Sequence, residues 1–405
     1  MNETSYDIVI SGGGAAGFFS AINIAENNPS LKILILEKSA KFLDKVRISG
    51  GGRCNVTHAC WEPKELIKFY PRGQKELIGP FHRFMCGDML AWLDEKGVET
   101  KIEDDGRVFP KSNTSTTIIE CFVGQVEKLG IETRLSEGMK DFSKNNDKFN
   151  IITTNDIEIQ SKSLIIATGG TKTIWNLINS KGIEIVEPVP SLFTFKINHP
   201  LIKDLPGLSL PKAGVRVAGF PMETTGPVLI THWGLSGPGI LKLSSWAARF
   251  LYQQNYKFEV FINWINKSEN ETNELLQERR KNKGGRNVYE DNFLGIPKRL
   301  WRNMINQLKI KEKNWADLSK NSLTELHQLL CNCSFQANGK TTNKDEFVTS
   351  GGILLKEVNF KTMESKKIPH LYFAGEVLDI DALTGGFNFQ AAWTTSWIIG
   401  QNSFE

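Results

Sequence analysis

The rhythm of apolar and polar positions changes several times along the chain. Residues 6–11 form an unbroken apolar run, fit for a buried parallel strand. Residues 15–26 follow as an Ala-rich helix, and residues 31–36 (LKILIL) as a second strand. Strand, helix and strand joined through a short Gly-rich turn predict a βαβ unit. Residues 149–153 alternate as a half-buried strand does, and residues 164–167 read as a fully buried one. Pro188 and Pro190 mark a change of style. From residue 191 to about 256 the chain is rich in Val, Phe, Gly and Pro, which predicts short strands in a barrel-like sheet. Residues 268–330 have helical periodicity, with Pro297 suited to the first turn of the middle helix. After Thr349 the first style returns, with a strand over 371–374, a glycine loop and a helix over 388–399. The expected architecture is α/β: one doubly wound domain in two parts, residues 1–190 and 349–405. It is interrupted by a β-barrel-like insert at 191–260, a helical insert at 261–330 and a return strand at 331–348.

Composition adds little to this picture, and charge adds more. The 405 residues, 40% hydrophobic and 23% charged, are those of an ordinary globular protein. The six cysteines form no CxxC pair and no zinc-ligand spacing, so reduced thiols and no metal are expected. Cys331 and Cys333 form a CxC, which in a strand would point both side chains to one face. No signal peptide is evident, no apolar run approaches the roughly 20 residues that span a bilayer, and a cytoplasmic protein without membrane attachment is expected. The net charge of +4 is uneven. Residues 279–320 hold twelve basic residues against four acidic ones, a surplus of eight, which leaves a deficit of four elsewhere. Such a run is either a solvated helical face or a surface that meets a polyanion.

The chemistry begins at Gly12-x-Gly14-x-x-Gly17, between the first strand and the first helix. Gly12 permits a tight turn, Gly14 lets the backbone approach a pyrophosphate, and Gly17 lets the helix pack close to the sheet. Ala15 and Ala16 open that helix, whose N-terminus offers free N–H groups to phosphates. Glu37, followed by Lys38, ends the second strand twenty residues beyond Gly17, where a carboxylate holds ribose hydroxyls. A dinucleotide is therefore expected, and three further segments favour FAD. The first, residues 48–55 (ISGGGRCN), places Ser49, Gly51, Gly52, Arg53 and Asn55 after a strand-like stretch, where a glycine backbone lies close to a flat ligand. The second is Thr168-Gly169 at the end of a buried strand. The third is residues 371–390, in which Gly375, Glu376 and Asp379 follow a strand, and Gly385, Gly386, Phe387 and Asn388 open the last helix. A helix N-terminus aimed at a flavin stabilises the negative charge that reduction brings.

SGGGRCN, GRVFP (106–110), THWGLSGP (231–238), TSGGI (349–353), TMESK (362–366) and YFAGEVLDIDALTGGFNFQAAW resemble, in order, the BaiN/YhiN-like flavoproteins, the BaiN/RdsA or aminoacetone-oxidase family of NAD(P)/FAD-dependent oxidoreductases. The resemblance implies a discontinuous FAD domain with barrel-like and helical inserts. Where the family often has Gly-Arg-Lys ahead of the glycine motif, this chain has Leu43-Asp44-Lys45, so Lys45 alone matches as a cofactor contact. Members are credited with reducing conjugated C=C bonds of oxo-bile acids, oxidising aminoacetone, and reducing a uridine of large-subunit ribosomal RNA to dihydrouridine.

Reducing a base demands that it be flipped out and its phosphates held by cations. The basic helical insert, with Arg279-Arg280-Lys281 and Lys298-Arg299, suits ribosomal RNA as the partner; a small-molecule flavin reductase, an amine oxidase or a non-catalytic flavin-containing RNA-binding protein are the alternatives. C=C reduction needs a hydride at one carbon and a proton at its neighbour. Cys54 and His232 are the candidate proton donors, each equally at home as a structural residue, and Arg53 is a candidate to orient a carbonyl. Gly234-x-x-Gly237-x-Gly239 has the wrong spacing for a second dinucleotide turn, so NAD(P)H is expected to visit the flavin transiently.

Overall fold

A computed structural model describes residues 4–341 and 348–404. The chain divides into two compact units, Met1–Pro188 with Thr349–Glu405, and Val189–Val348. Part of the expected return strand, residues 342–347, lies outside the described residues.

In the first unit β1 (Thr4–Ser11) leads into α1 (Ala15–Asn27) and then β2 (Ile33–Leu36). β1 is central because every residue from Ile8 to Ile10 is buried, which only a strand covered on both faces requires. It pairs in parallel with β2 on one side and with Glu158–Ile166 on the other. The strand Glu132–Arg134 extends the sheet beyond β2, and Leu371–Phe373 extends it beyond Glu158–Ile166, both in parallel. The chain leaves β1 toward one neighbour and returns on the other side, so the carboxyl end of β1 is a topological switch point, where such sheets bind ligands. Ser11 is in register with both Leu36 and Ile166, so the three strand ends open at one level. The C-terminal helix, Phe387–Gly400, is apolar on nearly every side, and all its residues but Asn388, Phe389 and Trp397 are buried. It lies against α1, where Ser396 Oγ donates to the Ala16 carbonyl at 2.9 Å.

The second unit is a closed six-stranded barrel, in the order Thr194–Ile197, Gly234–Ser236, Glu223–Thr231, Ser209–Val217, Lys257–Asn263 and Cys333–Thr341. The helices Glu269–Asn282, Lys298–Gln307 and Lys320–Cys331 all fall between its last two strands, which pair with each other. The helical stretch is thus a loop of the barrel, packed on it through a common core that contains Trp264, Trp301 and Trp315. Ser268 caps its first helix in a capping box with Glu271. Cys331 ends a helix and Cys333 begins a strand, so the two thiols do not share a strand face as expected. All six cysteines are free thiols.

Candidate functional site

At the switch point the three motif glycines have different reasons for being glycine. Gly12 has φ +115°, and a Cβ there would lie 2.4 Å from the Ala167 carbonyl oxygen. A Cβ on Gly17 would lie 1.9 Å from the Gly12 carbonyl oxygen, so the helix meets the turn by backbone alone. A Cβ on Gly14 would meet nothing within 4 Å. Gly14 caps α1 without any side-chain acceptor, and the first turn of α1 carries no acid, so no side chain answers the N–H groups and the positive dipole end there. Glu37 stands beside this turn. Its two oxygens accept from Gly13 N at 2.8 Å and Ser39 N at 2.7 Å, which leaves each a further lone pair. Lys38 is exposed.

The segment before the triple glycine is helical rather than strand-like. Asp44–Gly52 starts as a helix and breaks at Ser49, after which Gly50, Gly51 and Gly52 take φ of 58°, 69° and 84°. A run of three left-handed residues strongly favours glycine, which has no Cβ to clash. A Cβ on Gly50 would strike the Phe109 ring at 2.9 Å, whereas Gly51 and Gly52 face no protein atom within 4 Å. Ser49 Oγ donates to the Val46 carbonyl at 2.9 Å. Leu43, the first residue of the departing Leu43-Asp44-Lys45, has φ 59° and is buried, a left-handed backbone carried by a branched side chain.

Arg53 is held by two neighbours. It donates to Glu103 Oε1 at 2.7 Å and lies 3.9 Å over the Phe109 ring. Cys54 lacks the exposure of a proton donor: it is fully buried, and that burial pushes its thiol up to about 12 against a small opposing pull from Ser49. Asn55, with its amide nitrogen turned to the carbonyls of Thr57 and Val108, accepts from Gly386 N at 3.0 Å. The residues 103–110 thus support the glycine segment, a role their local pattern did not announce.

Two residues beyond the strand Glu158–Ile166 stands Thr168, whose hydroxyl is buried without a partner among the described residues. Next to it Gly169 has φ 61°, and a Cβ there would lie 3.5 Å from Glu376 Oε2 and 3.9 Å from Lys45 Nζ. Lys45 and Glu376 form an ion pair, so three separate sequence segments meet here. Gly375 donates to Thr395 Oγ1 at 3.1 Å, and a Cβ on it would lie 3.0 Å from Ala16 Cβ. Asp379 is buried, and its N–H donates to the Ile353 carbonyl at 3.0 Å. Gly385 and Gly386, at φ 129° and 91°, lead into the C-terminal helix; a Cβ on Gly386 would lie 2.5 Å from the Thr57 carbonyl oxygen. Phe387 is buried and stacked on Phe69 at 4.2 Å and 11°. Asn388 is also occupied: it accepts from Ala382 N at 2.9 Å and donates to Ala382 O at 3.2 Å, holding the loop ahead of the helix. The buried Arg72–Asp381 ion pair braces the same loop, and sequence spacing offered no sign of a pair 309 positions apart.

In the barrel unit His232 and Trp233 sit exposed in the turn between two strands, Trp233 at 60%. The basic stretch is not a uniform solvated face. Arg279 makes a two-pronged contact with buried Asp291, which also accepts from Trp315 Nε1 at 2.8 Å and Arg286 at 3.4 Å. Burial pushes the Asp291 carboxyl up, but these donors outweigh it and hold it below its usual value. Arg299 donates to the Asp204 carbonyl and Arg302 pairs with Glu290 at 2.8 Å. Lys281, Lys283, Lys298 and Lys309 are exposed. No cluster of three or more His, Cys, Asp or Glu side chains able to hold a metal occurs among the described residues. Nor does any helix of the described residues have the length and apolarity to cross a membrane.

Fold and site together define a Rossmann-type flavoprotein, an FAD-dependent oxidoreductase. The chain belongs to the family described as HI0933-like protein Rossmann domain, which matches residues 6–402. It is 28% identical over 410 residues to the ribosomal RNA dihydrouridine synthase of Escherichia coli, covering 98% of both chains. It is 25% identical over 411 residues to the 3-dehydro-bile acid delta(4,6)-reductase of Clostridium scindens, covering 98% of this chain and 99% of the other. A solved structure of a 3-ketosteroid-delta4-(5alpha)-dehydrogenase from Rhodococcus jostii aligns with a TM-score of 0.51 at 12% identity, over 98% of this chain and 97% of that one, and so shares the fold.

Proposed function

We propose that this protein reduces a uridine of large-subunit ribosomal RNA to dihydrouridine, using FAD and NAD(P)H. The observation that carries the reading is the end-to-end likeness, 98% of both chains, to a protein named for that reaction. The surplus of eight positive charges in residues 279–320 supports it, because an RNA substrate gives that surplus a task.

The residues present fit FAD. The open space before Gly14, the free N–H groups of the first turn of α1 and the spare lone pairs of Glu37 match a pyrophosphate and a ribose. The orphaned Thr168 hydroxyl lacks an acceptor or donor that a ligand would supply. Gly51 and Gly52 offer bare backbone to a flat ring, and the Gly386 end of the C-terminal helix offers a positive dipole. Lys45, Ser49, Arg53, Gly169, Gly375, Glu376 and Asp379 surround or brace these surfaces, while Asn55, Phe387 and Asn388 act through the backbone they hold. When bound and reduced by NAD(P)H, FAD would supply the hydride that one carbon of the uracil C=C bond receives. The neighbouring carbon takes a proton, for which His232 and Cys54 remain the two candidates, His232 exposed and Cys54 buried. Without a second Gly-rich dinucleotide turn, NAD(P)H is a transient visitor. Ribosomal RNA places the protein in the cytoplasm.

Mass spectrometry of ribosomal RNA nucleosides tests this. A strain lacking the protein loses one dihydrouridine, and complementation restores it. Unchanged dihydrouridine, with NAD(P)H-dependent reduction of an unsaturated oxo-steroid by the pure enzyme, would transfer the reading to the bile-acid type of reductase.

A further inference from the structure

The nucleotide-binding unit carries a cleft of 570 Å³ between the helix Gln74–Phe81 and the antiparallel edge hairpin formed by Val358–Asn359 and Glu364–Ser365. Lys75 and Arg83 line its helix side and Lys356, Lys361 and Lys366 its hairpin side, against a single acid, Glu76. All five cations are exposed. They are not the by-product of a basic chain, because outside residues 279–320 acids outnumber bases by four.

Like charges gathered around one cleft repel each other, and an anion relieves that repulsion. Two of the five cations are held in place by neutral acceptors: Arg83 Nη1 donates to the Lys361 carbonyl at 2.7 Å, and Lys366 Nζ donates to the Lys356 carbonyl at 2.9 Å. Both keep their full charge and spare N–H groups. Lys356 meets Glu184 at 3.1 Å with both side chains more than half exposed, a contact of little strength. Lys75 and Lys361 have no carboxylate partner among the described residues. Between the cations the lining is apolar, from Ile78, Pro80, Leu355 and Val358, with half-buried Phe360 among them.

We propose that this cleft takes the sugar–phosphate strand of an RNA, phosphates on the cations and sugar or base over the apolar lining. Cations on both walls suit a strand running between them, and five exceed what one phosphate needs. The cleft has no glycine turn of the kind that seats a dinucleotide pyrophosphate. The inference rests on the RNA reading above and adds to it a contact on the nucleotide-binding unit, separate in sequence from the basic helices.

The test compares flavin-loaded wild type with K75E/K361E, whose side chains lie outside the proposed flavin and proton-transfer residues. The probe is unmodified large-subunit ribosomal RNA made by transcription, titrated over a range of salt. The variant is expected to bind about tenfold or more weakly at low salt, with the slope of log affinity against log salt smaller by about 2. Its flavin content and its NAD(P)H-driven reduction of an artificial electron acceptor stay at wild-type level, which excludes a folding defect. Unchanged RNA affinity and slope in the variant would overturn the cleft and leave the substrate reading standing. A raised KM for NADPH with unchanged RNA binding would overturn it too, by giving the cleft to the nicotinamide phosphate. Wild-type protein that binds no RNA at any salt would sink the substrate reading itself.

Discussion

Ser396 donates its hydroxyl to the carbonyl of Ala16 across 380 positions of sequence, at 2.9 Å. Ala16 stands in the first turn of α1, and the same residue faces Gly375 closely enough that any side chain there would touch it. The last thirty or so residues therefore set the position of the helix N-terminus that is to receive phosphates. Neither end of the chain builds this site alone, and the barrel unit is an insertion in a domain that closes only when the C-terminus arrives.

The last two motif glycines, Gly14 and Gly17, should fail in opposite ways. Gly17→Ala drives a methyl group into the Gly12 carbonyl, so a loss of about 3 kcal/mol or more and little soluble protein are expected. The Cβ of Gly14→Val meets no protein atom within 4 Å, so the variant should fold and melt near wild type yet purify colourless, because its side chain occupies the pyrophosphate space. Thermal melts and absorbance near 450 nm measure both; a yellow Gly14→Val variant would contradict the placement of the dinucleotide.

Neighbouring cations of the basic segment should separate by role. Arg279→Glu sets two carboxylates against each other beside Trp315 and should cost about 3 kcal/mol. R280E/K281E should change stability by no more than about 0.5 kcal/mol while weakening RNA binding. Denaturant midpoints beside RNA titrations check this, and equal stability losses in the two variants would remove the distinction. The acid limb follows with its sign: the Asp291 carboxyl is lowered on folding, so its stabilisation is present above the ordinary value of about 3.9 and fades as pH falls below it. Arg279→Ala should flatten that limb.

Cys54 should be chemically silent in the native protein. Its thiol is raised to about 12 by burial, so it stays protonated across the working range and should resist alkylation at pH 8 until the protein unfolds. Cys54→Ala should keep most of the turnover and the wild-type pH profile, and a lost basic or acidic limb in that profile would restore it as a proton donor. In stability the sign is the reverse of Asp291. A thiol raised on folding contributes fully below its unfolded value of about 8.5 and is lost as pH rises toward 12, so Cys54→Ala and Cys333→Ala should each soften alkaline unfolding.

The Arg72–Asp381 pair should prove costly to break. Both side chains are nearly sealed, at 11% and 1% exposure, so Asp381→Asn removes a buried negative charge that faces the guanidinium. A loss of about 3–5 kcal/mol is expected from chemical denaturation, together with weaker flavin retention, because the pair holds the loop that leads to Gly385 and Gly386. A variant with an unchanged midpoint would show that water replaces the carboxylate at no cost.

What the sequence determined by itself is whatever the backbone demands locally. Buried strands show as apolar runs, the Gly12 and Gly17 contacts as residues without side chains, and the return to the first domain as a strand followed by Gly375, Gly385 and Gly386, since these needs act within a few residues. Tertiary structure decided which side chains meet. It turned Arg279 from a phosphate candidate into the partner of Asp291, gave Arg53 to Glu103 and Phe109, closed the core over Cys54 and Phe387, and left Leu43 left-handed. Charge and burial are properties of neighbours, and neighbours 12 to 380 positions apart are chosen by packing, which no local pattern encodes.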